Sequence, residues 1–191
     1  MSKISEESKE LVTKQLLTST DAPEEQIVYA MCGIPASGKT TYVQSQIKAG
    51  NFPQNAFILN PDLVMENLPE YQKDEKELGA EKAFLKWEIP SRTLAYKLFH
   101  KAKDLKKTII VDMGCARDEN RQMLMSLKEA GYKVLMTHVK CDIDTAIERT
   151  SKRERFTPAD MIYKRANTLE ALIPQYKVLA EEFTEIDTSG L

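Results

Sequence analysis

The most informative stretch of the chain is Gly33-Ile34-Pro35-Ala36-Ser37-Gly38-Lys39-Thr40, which follows the apolar run 27–32. Its glycines let the backbone curl tightly, so that successive N–H groups point inward and can bind phosphate oxygens. Lys39 can then bridge the β- and γ-phosphates of a nucleotide, and Thr40 can offer its hydroxyl to Mg²⁺. The helical pattern that follows directs the positive end of its dipole at the same anion.

A glycine-rich turn with a chance lysine is the alternative explanation of this stretch. The apolar run before it is typical of a buried strand, and Thr41, Val43 and Ile47 after it suit one side of a helix. This order of strand, loop and helix favours a nucleoside triphosphate site. Its predicted residues are Gly33, Ala36, Ser37, Gly38, Lys39, Thr40 and Thr41.

The length and composition are those of an ordinary globular domain. The chain has 191 residues, 42% of them hydrophobic and 29% charged, which suffices for one domain with a sizeable core. A formal net charge of -2 gives no overall attraction to nucleic acid, so any such binding needs a local basic patch. Because the apolar runs are only of strand length and no signal-peptide core begins the chain, we expect a cytoplasmic protein without a membrane partner.

Predicted strands and helices alternate along the whole chain. Strands are expected near residues 27–32, 56–59, 108–112 and 132–139, with a weaker pattern at 183–191. This alternation predicts an α/β fold with a parallel sheet, and the phosphate loop after its first strand makes it a three-layer fold of the P-loop NTPase kind. We expect a single domain over residues 1–191, in which the helix of residues 1–22 covers the sheet, a separate partner-binding arm being the alternative. Pro90 and Pro174 are expected to interrupt two later helices.

Two acidic residues follow predicted strands directly. Asp62 comes after the strand 56–59, and Asp112 ends the β-branched strand 108–112. In open parallel sheets, ligands bind at the carboxyl ends of the strands, where the phosphate loop also lies. Asp112 is therefore expected to organise Mg²⁺ together with Thr40. Asp62 is a candidate for catalysis, and it also suits the N-cap of a short helix.

Four cations follow the strand predicted at 132–139. Arg149, Lys152, Arg153 and Arg155 lie within about two helical turns of one another. Arginine suits the spread charge of a phosphoryl group in transit. We therefore expect residues 142–157 to form a lid over the nucleotide, with a solvated helix face as the alternative.

The chain resembles the small P-loop kinases of the zeta-toxin and polynucleotide-kinase type over about residues 27–180. The resemblance rests on the phosphate loop, on Asn60-Pro61-Asp62 with Leu68-Pro69-Glu70-Tyr71 behind it, on Ile110-Val111-Asp112, and on Arg149-Thr150-Ser151-Lys152-Arg153. It implies that Asp62 takes the proton from the acceptor hydroxyl and that Asp112 belongs to the magnesium-side Walker B strand. It also implies that Arg153 covers the phosphates from a mobile lid, helped by Arg149 or Arg155.

One position departs from both groups of relatives. They usually carry an arginine three residues after the catalytic acid, where it helps to hold the substrate, and this chain has Met65 there. The acceptor therefore stays open among three classes. These are a UDP-linked amino sugar, a 5′-hydroxyl polynucleotide end and a hydroxymethylated base in DNA.

The expected activity is transfer of the γ-phosphoryl group of ATP, with Mg²⁺, to a hydroxyl of a nucleotide, nucleotide-sugar or nucleic acid. ATP is the expected donor because no asparagine is followed by lysine, so the guanine-reading Asn-Lys-x-Asp motif does not occur. An ATPase or conformational switch is the first alternative, but Met113 stands where hydrolytic motors commonly carry a glutamate. A binding module with a degenerate nucleotide site is the second, and the complete phosphate loop argues against it. The sequence identifies no protein partner.

Overall fold

A computed structural model describes residues 2–17, 25–152 and 157–190. The strands in these ranges are β1 (Ile27–Cys32), β2 (Phe57–Leu59), β3 (Ile109–Val111), β4 (Lys133–Lys140) and β5 (Glu182–Asp187). The helices are α1 (Glu6–Leu16), α2 (Lys39–Lys48), α3 (Pro61–Glu66), α4 (Pro69–Leu78), α5 (Ala80–Asp104), α6 (Asp118–Glu129), α7 (Ile143–Ser151) and α8 (Ala159–Leu179).

The strands form one parallel sheet in the order β2-β3-β1-β4-β5. In the centre of the sheet, Tyr29 of β1 is in register with Ile110 of β3 on one side and with Leu135 of β4 on the other. After β1 the chain runs towards the edge of the sheet formed by β2. After β3 it runs in the opposite direction, towards β4. Connections that diverge in this way leave a crevice beyond the carboxyl ends of the strands, where ligands bind.

Helices cover both faces of the sheet. Side chains of a strand alternate between faces, so Val28 and Ala30 enter the larger core while Met31 packs with Val43 of α2 on the opposite face. Residues from α1, α3, α4, α5, α6, α7 and α8 complete the larger core. The predicted three-layer α/β fold with a parallel sheet is confirmed.

The first helix is anchored at its N-terminus by a residue of another helix. Ser5 is the N-cap of α1, and its hydroxyl accepts a hydrogen bond from the Ser8 backbone N–H. The Ser5 backbone N–H and hydroxyl both donate to Glu70 Oε1 of α4, at 3.1 and 2.9 Å. Val12 is fully buried in the core, so α1 packs on the rest of the molecule. Residues 18–22 of the predicted 1–22 segment lie outside the described residues.

The prediction that Pro90 and Pro174 interrupt helices is wrong. α5 continues through Pro90 and α8 continues through Pro174. A proline costs a helix one hydrogen bond, but α5 buries Trp87 before Pro90 and Leu94 after it, so packing on both sides maintains the helix. Neither these long helices nor any other described helix has the length and apolarity needed to cross a bilayer.

Glu70→Ala should detach the start of α1 from α4. The variant loses two hydrogen bonds to a charged acceptor, so we expect the free energy of unfolding to fall by about 1–2 kcal/mol. Amide hydrogen exchange should also be faster in the first turn of α1 than in the wild type. Glu77→Ala is the matched control, because Glu77 is an exposed residue of the same helix. Unchanged exchange in α1 would contradict the role of Glu70.

Candidate active site

The shape of the phosphate loop, which joins β1 to α2, depends on two glycines. Gly33 approaches β4 so closely that a Cβ atom there would lie 2.5 Å from the carbonyl oxygen of Val139. Gly38 is the N-cap of α2 and has a φ of 88°, in the left-handed region that glycine adopts without strain. Ala36 also has a positive φ, of 62°, although it carries a Cβ atom. Such strained backbone is concentrated at functional sites.

Lys39 folds back over the phosphate loop. Its Nζ donates to the carbonyl oxygens of Gly33 and Ile34 at 3.1 and 2.7 Å, and lies 3.3 Å from the hydroxyl oxygen of Ser37. An ammonium group has three donors on a flexible stem, so it can exchange these oxygens for phosphate oxygens. The ammonium is therefore held at the loop before any ligand binds.

Thr40 and Asp112 are brought into contact, although they are 72 residues apart in sequence. The Thr40 hydroxyl donates to Asp112 Oδ2 at 2.9 Å. The same oxygen accepts a second hydrogen bond from the side-chain amide of Asn60, also at 2.9 Å. The side-chain oxygen of Asn60, Oδ1, in turn accepts from the backbone N–H groups of Asp62 and Leu63, as the N-cap of α3. Asn60 thus connects Asp112 to the helix that carries Asp62.

The Asp112 carboxylate occupies an environment that suits a hard cation. Burial raises the pKa of Asp112, while the hydrogen bonds from Thr40 and Asn60 lower it. Asp112 Oδ1 is buried and has no hydrogen-bond partner within the described ranges. Thr40 donates its only hydroxyl proton to Asp112, so its lone pairs remain available. Two oxygen ligands of this kind fit Mg²⁺, which is usually held by one or two protein oxygens together with substrate phosphates.

A larger set of metal-binding side chains does not occur in the described part of the chain. No group of three or more His, Cys, Asp or Glu residues is placed there to hold a metal ion. A cage made only of protein ligands is therefore absent from these residues, and the Thr40–Asp112 pair is the candidate position for a nucleotide-bound cation.

A cavity of about 610 Å³ joins the phosphate loop to the acidic residues. Of the predicted site residues, the lining includes Gly33, Ala36, Lys39, Thr40, Asp62 and Asp112. Asp62 thus shares a cavity with the loop and with Asp112, as we expected from the ends of the strands. Ser37 and Gly38 contribute to the loop outside the lining, and Thr41 is an exposed residue of the first turn of α2.

Arg149 of the predicted lid lies against the phosphate loop. Its guanidinium donates to the Ala36 carbonyl oxygen at 3.5 Å and to the hydroxyl and carbonyl oxygens of Thr188. The Thr188 hydroxyl is 2.8 Å from the Ser37 carbonyl oxygen and donates to it. Arg149 therefore joins α7 to the loop and to the end of β5. Arg153 and Arg155 lie outside the described residues, and their lid role stays a prediction.

The sequence patterns missed several residues that the fold brings to this site. Asn60 belonged to a noted motif but had no assigned role, and Thr188 lies within a weakly predicted strand. The cavity lining also includes Arg92, Arg117 and Arg165, which lie far apart in sequence. Arg117 could have been suspected, because it follows Asp112 on the next loop at the same sheet edge. Arg92 and Arg165 lie within long helices, and no local motif marks them.

Comparison with known protein families identifies the chain. A family model described as an AAA domain matches residues 28–177. The chain belongs to this family. The AAA-domain match runs from β1 into α8 and includes Lys39, Asp62 and Asp112. No curated protein matches the chain.

Solved structures share the AAA-domain fold at low sequence identity. A protein from the PezAT toxin–antitoxin system of Streptococcus pneumoniae has a TM-score of 0.72 at 16% identity, over 95% of this chain and 75% of that one. The AvrRxo1-ORF1:AvrRxo1-ORF2 structure with ATP has a TM-score of 0.60 at 18% identity, over 95% and 60%. Deoxyadenosine kinase from M. mycoides with bound dATP has a TM-score of 0.51 at 18% identity, over 84% and 91%.

Family and fold together confirm two predictions from the sequence. The chain has the P-loop, kinase-like α/β fold, and its resemblance to small P-loop kinases of the zeta-toxin type is confirmed. The likeness to polynucleotide kinases stays a prediction. The roles of the individual site residues also stay predictions, as does the extent of the single domain.

Two substitutions of Asn60 should separate the stability that comes from its hydrogen bond to Asp112 from the stability that comes from its N-cap of α3. Serine keeps an N-cap oxygen but is too short to reach Asp112, so Asn60→Ser should lose about 1 kcal/mol of unfolding free energy. Asn60→Ala also loses the N-cap, which should cost about 1 kcal/mol more. Urea unfolding at pH 7 measures both values, and Asn51→Ser in an exposed turn is the control. Equal losses in the two Asn60 variants would mean that the cap contributes no stability.

Asp112→Asn should stabilise the ligand-free protein at neutral pH. The raised pKa means that ionising Asp112 disfavours the folded state, and asparagine can keep the hydrogen bonds from Thr40 and Asn60. We expect the free energy of unfolding of the variant to be higher than that of the wild type at pH 7 without divalent cations. The gain should shrink as the pH falls through the raised pKa of Asp112, because its carboxyl is then neutral in the wild type too. Thermal unfolding between pH 4 and pH 8 tests this, and a less stable variant at pH 7 would contradict it.

Proposed function

We propose that this protein is a Mg²⁺-dependent kinase that transfers the γ-phosphoryl group of ATP to a hydroxyl group of an acceptor. The observation that carries the proposal is the shared cavity. Asp62, a carboxylate candidate for a base, lines the same space as Lys39, Thr40 and Asp112. A phosphate-binding loop supplies the donor side, and an acid beyond it supplies the acceptor side.

In this proposal the oxygen of the acceptor hydroxyl forms a bond to the γ-phosphorus. Asp62 accepts the proton that this hydroxyl loses. The bond between the γ-phosphorus and the β–γ bridging oxygen breaks, and ADP leaves with that electron pair. Lys39 and the loop N–H groups stabilise the negative charge on the phosphate oxygens. Thr40 and Asp112 would hold Mg²⁺, which supplies further charge neutralisation when bound. Arg153, with Arg149 or Arg155, would cover the phosphates from the lid at residues 142–157.

The choice of ATP as donor has two supports. The guanine-reading Asn-Lys-x-Asp motif does not occur in the sequence. Two proteins of similar fold were solved with adenine nucleotides, AvrRxo1-ORF1:AvrRxo1-ORF2 with ATP and deoxyadenosine kinase with dATP. The chain spans 60% of the length of the AvrRxo1 chain that it matches. The activity of that whole protein therefore enters only as part of this proposal.

The acceptor is a hydroxyl compound among the classes that the sequence left open. A nucleotide, a nucleotide-sugar and a nucleic acid remain the candidates, the last including hydroxymethylated bases in DNA. Met65 is 3% exposed and packs in the larger core, so its position supplies no cation to the cavity. An acceptor would therefore be held by other residues than in relatives that carry an arginine at this position.

An ATPase or conformational switch is the alternative from another class. Met113 lines the cavity directly after Asp112, at the position where hydrolytic motors commonly carry a glutamate that activates water. Transfer of labelled γ-phosphate to UDP-sugars, 5′-hydroxyl oligonucleotides or DNA with hydroxymethylated bases would support the kinase. Release of label only as inorganic phosphate, at a useful rate and without an acceptor, would support the ATPase.

Asp62→Asn should abolish transfer while nucleotide binding survives. Asparagine keeps the shape of the side chain but cannot accept the hydroxyl proton, so we expect a rate loss of about 10²-fold or more. Calorimetry should give an ATP–Mg²⁺ affinity within about twofold of the wild type, because the phosphate loop is intact. Asp104→Asn, at the exposed end of α5, is the matched control. Transfer at the wild-type rate in Asp62→Asn would remove Asp62 from the mechanism.

A further inference from the structure

Three arginines from separate parts of the chain line the same cavity as Asp62. Arg92 lies on α5, Arg117 is the N-cap residue of α6, and Arg165 lies on α8. We call these three residues the arginine wall. None of them belongs to the phosphate loop, and α5 packs against α3, the helix that carries Asp62. The arginine wall thus lies on parts of the fold other than the phosphate loop.

The charges of the arginine wall face a shared space. Arg92 forms an ion pair in which its Nη2 lies 2.6 Å from Glu88 Oε1. Within residues 2–17, 25–152 and 157–190, it is the member of the wall that has such a pair. Burial lowers the pKa of Arg165, and the charges of Arg117 and Arg92 lower it further. Glu119, which also lines the cavity, acts in the opposite direction. Like charges that converge in a partly buried space repel one another, and an anion between them removes that cost.

The arginine wall supplies cations that α3 does not. α3 carries Asp62 and contains no lysine or arginine. In this chain the side chain at position 65 is buried in the core. Besides Lys39 of the phosphate loop, the cationic residues in the described lining of the cavity are those of the arginine wall. They come from α5, α6 and α8 rather than from α3.

We propose that the arginine wall binds a phosphate or carboxylate group of the acceptor, so that the substrate is an anionic compound with a free hydroxyl. This inference rests on the proposed kinase function. Guanidinium groups bind such anions through paired hydrogen bonds, which fix orientation as well as position. An anion held at the wall would orient the acceptor so that its hydroxyl reaches Asp62. The γ-phosphate of the donor is the other source of an anion in this cavity.

The test uses inorganic phosphate as the probe and protein saturated with Mg²⁺ and AMP-PNP, a donor analogue that resists transfer. Phosphate is titrated while NMR follows the side-chain Nε–H signals of the arginines. We expect the signals of Arg92, Arg117 and Arg165 to shift with phosphate although the nucleotide site is filled. Single Arg→Gln substitutions in the wall should weaken phosphate binding about tenfold each, and Arg117→Lys should weaken it less because the charge remains. The affinity for AMP-PNP should change less than about twofold.

Arg121→Gln is the matched control, because Arg121 lies on α6 outside the cavity and pairs with Asp118. It should bind phosphate as the wild type does. If AMP-PNP alone shifts the wall signals and phosphate then has no effect, the wall belongs to the donor and the inference fails. If phosphate does not bind, or binds equally in the Arg→Gln variants, the inference also fails. Intact phosphate binding without phosphoryl transfer to any acceptor would instead remove the kinase proposal and keep the anion site.

Discussion

The hydrogen bonds to the buried carboxylate of Asp112 hold the site together. Thr40 lies after the loop that leaves β1, Asn60 follows β2, and Asp112 follows β3. One oxygen atom therefore fixes the ends of β2 and β3 relative to the start of α2. The phosphate loop, the start of α3 and the position of Asp62 all depend on that arrangement. Burial of a carboxylate is unfavourable, and under the proposed function its oxygen atoms would bind a cation.

The residues that the sequence identified are those that local backbone rules determine. A phosphate loop needs glycine where the chain approaches another strand or turns left-handed, and Gly33 and Gly38 meet those demands. Asp62 and Asp112 could be assigned to one sheet edge because parallel strands place their carboxyl ends together. These inferences need only the order of strands and helices, which apolar periodicity gives well. The architecture was predicted for the same reason.

The residues that escaped prediction come together only through tertiary structure. The arginine wall draws one residue each from α5, α6 and α8, and no spacing in the sequence connects them. Local rules also overestimated the effect of Pro90 and Pro174. A proline removes one hydrogen bond, whereas the apolar stripe of a long helix packs along its whole length. When many weak packing contacts oppose one local backbone preference, the sequence pattern alone does not show which of the two contributes more free energy.

The contact between Thr188 and Ser37 has a consequence for the order of folding. These residues are separated by 151 positions in sequence, yet their hydrogen bond is buried beneath the phosphate loop. The loop therefore reaches its final shape only after β5 has joined the edge of the sheet. Contacts of such long sequence separation form late and slowly, and the largest entropy of loop closure opposes them. During synthesis, the phosphate loop would leave the ribosome early but stay incomplete until the last strand follows, so nucleotide could not stabilise the nascent chain before then.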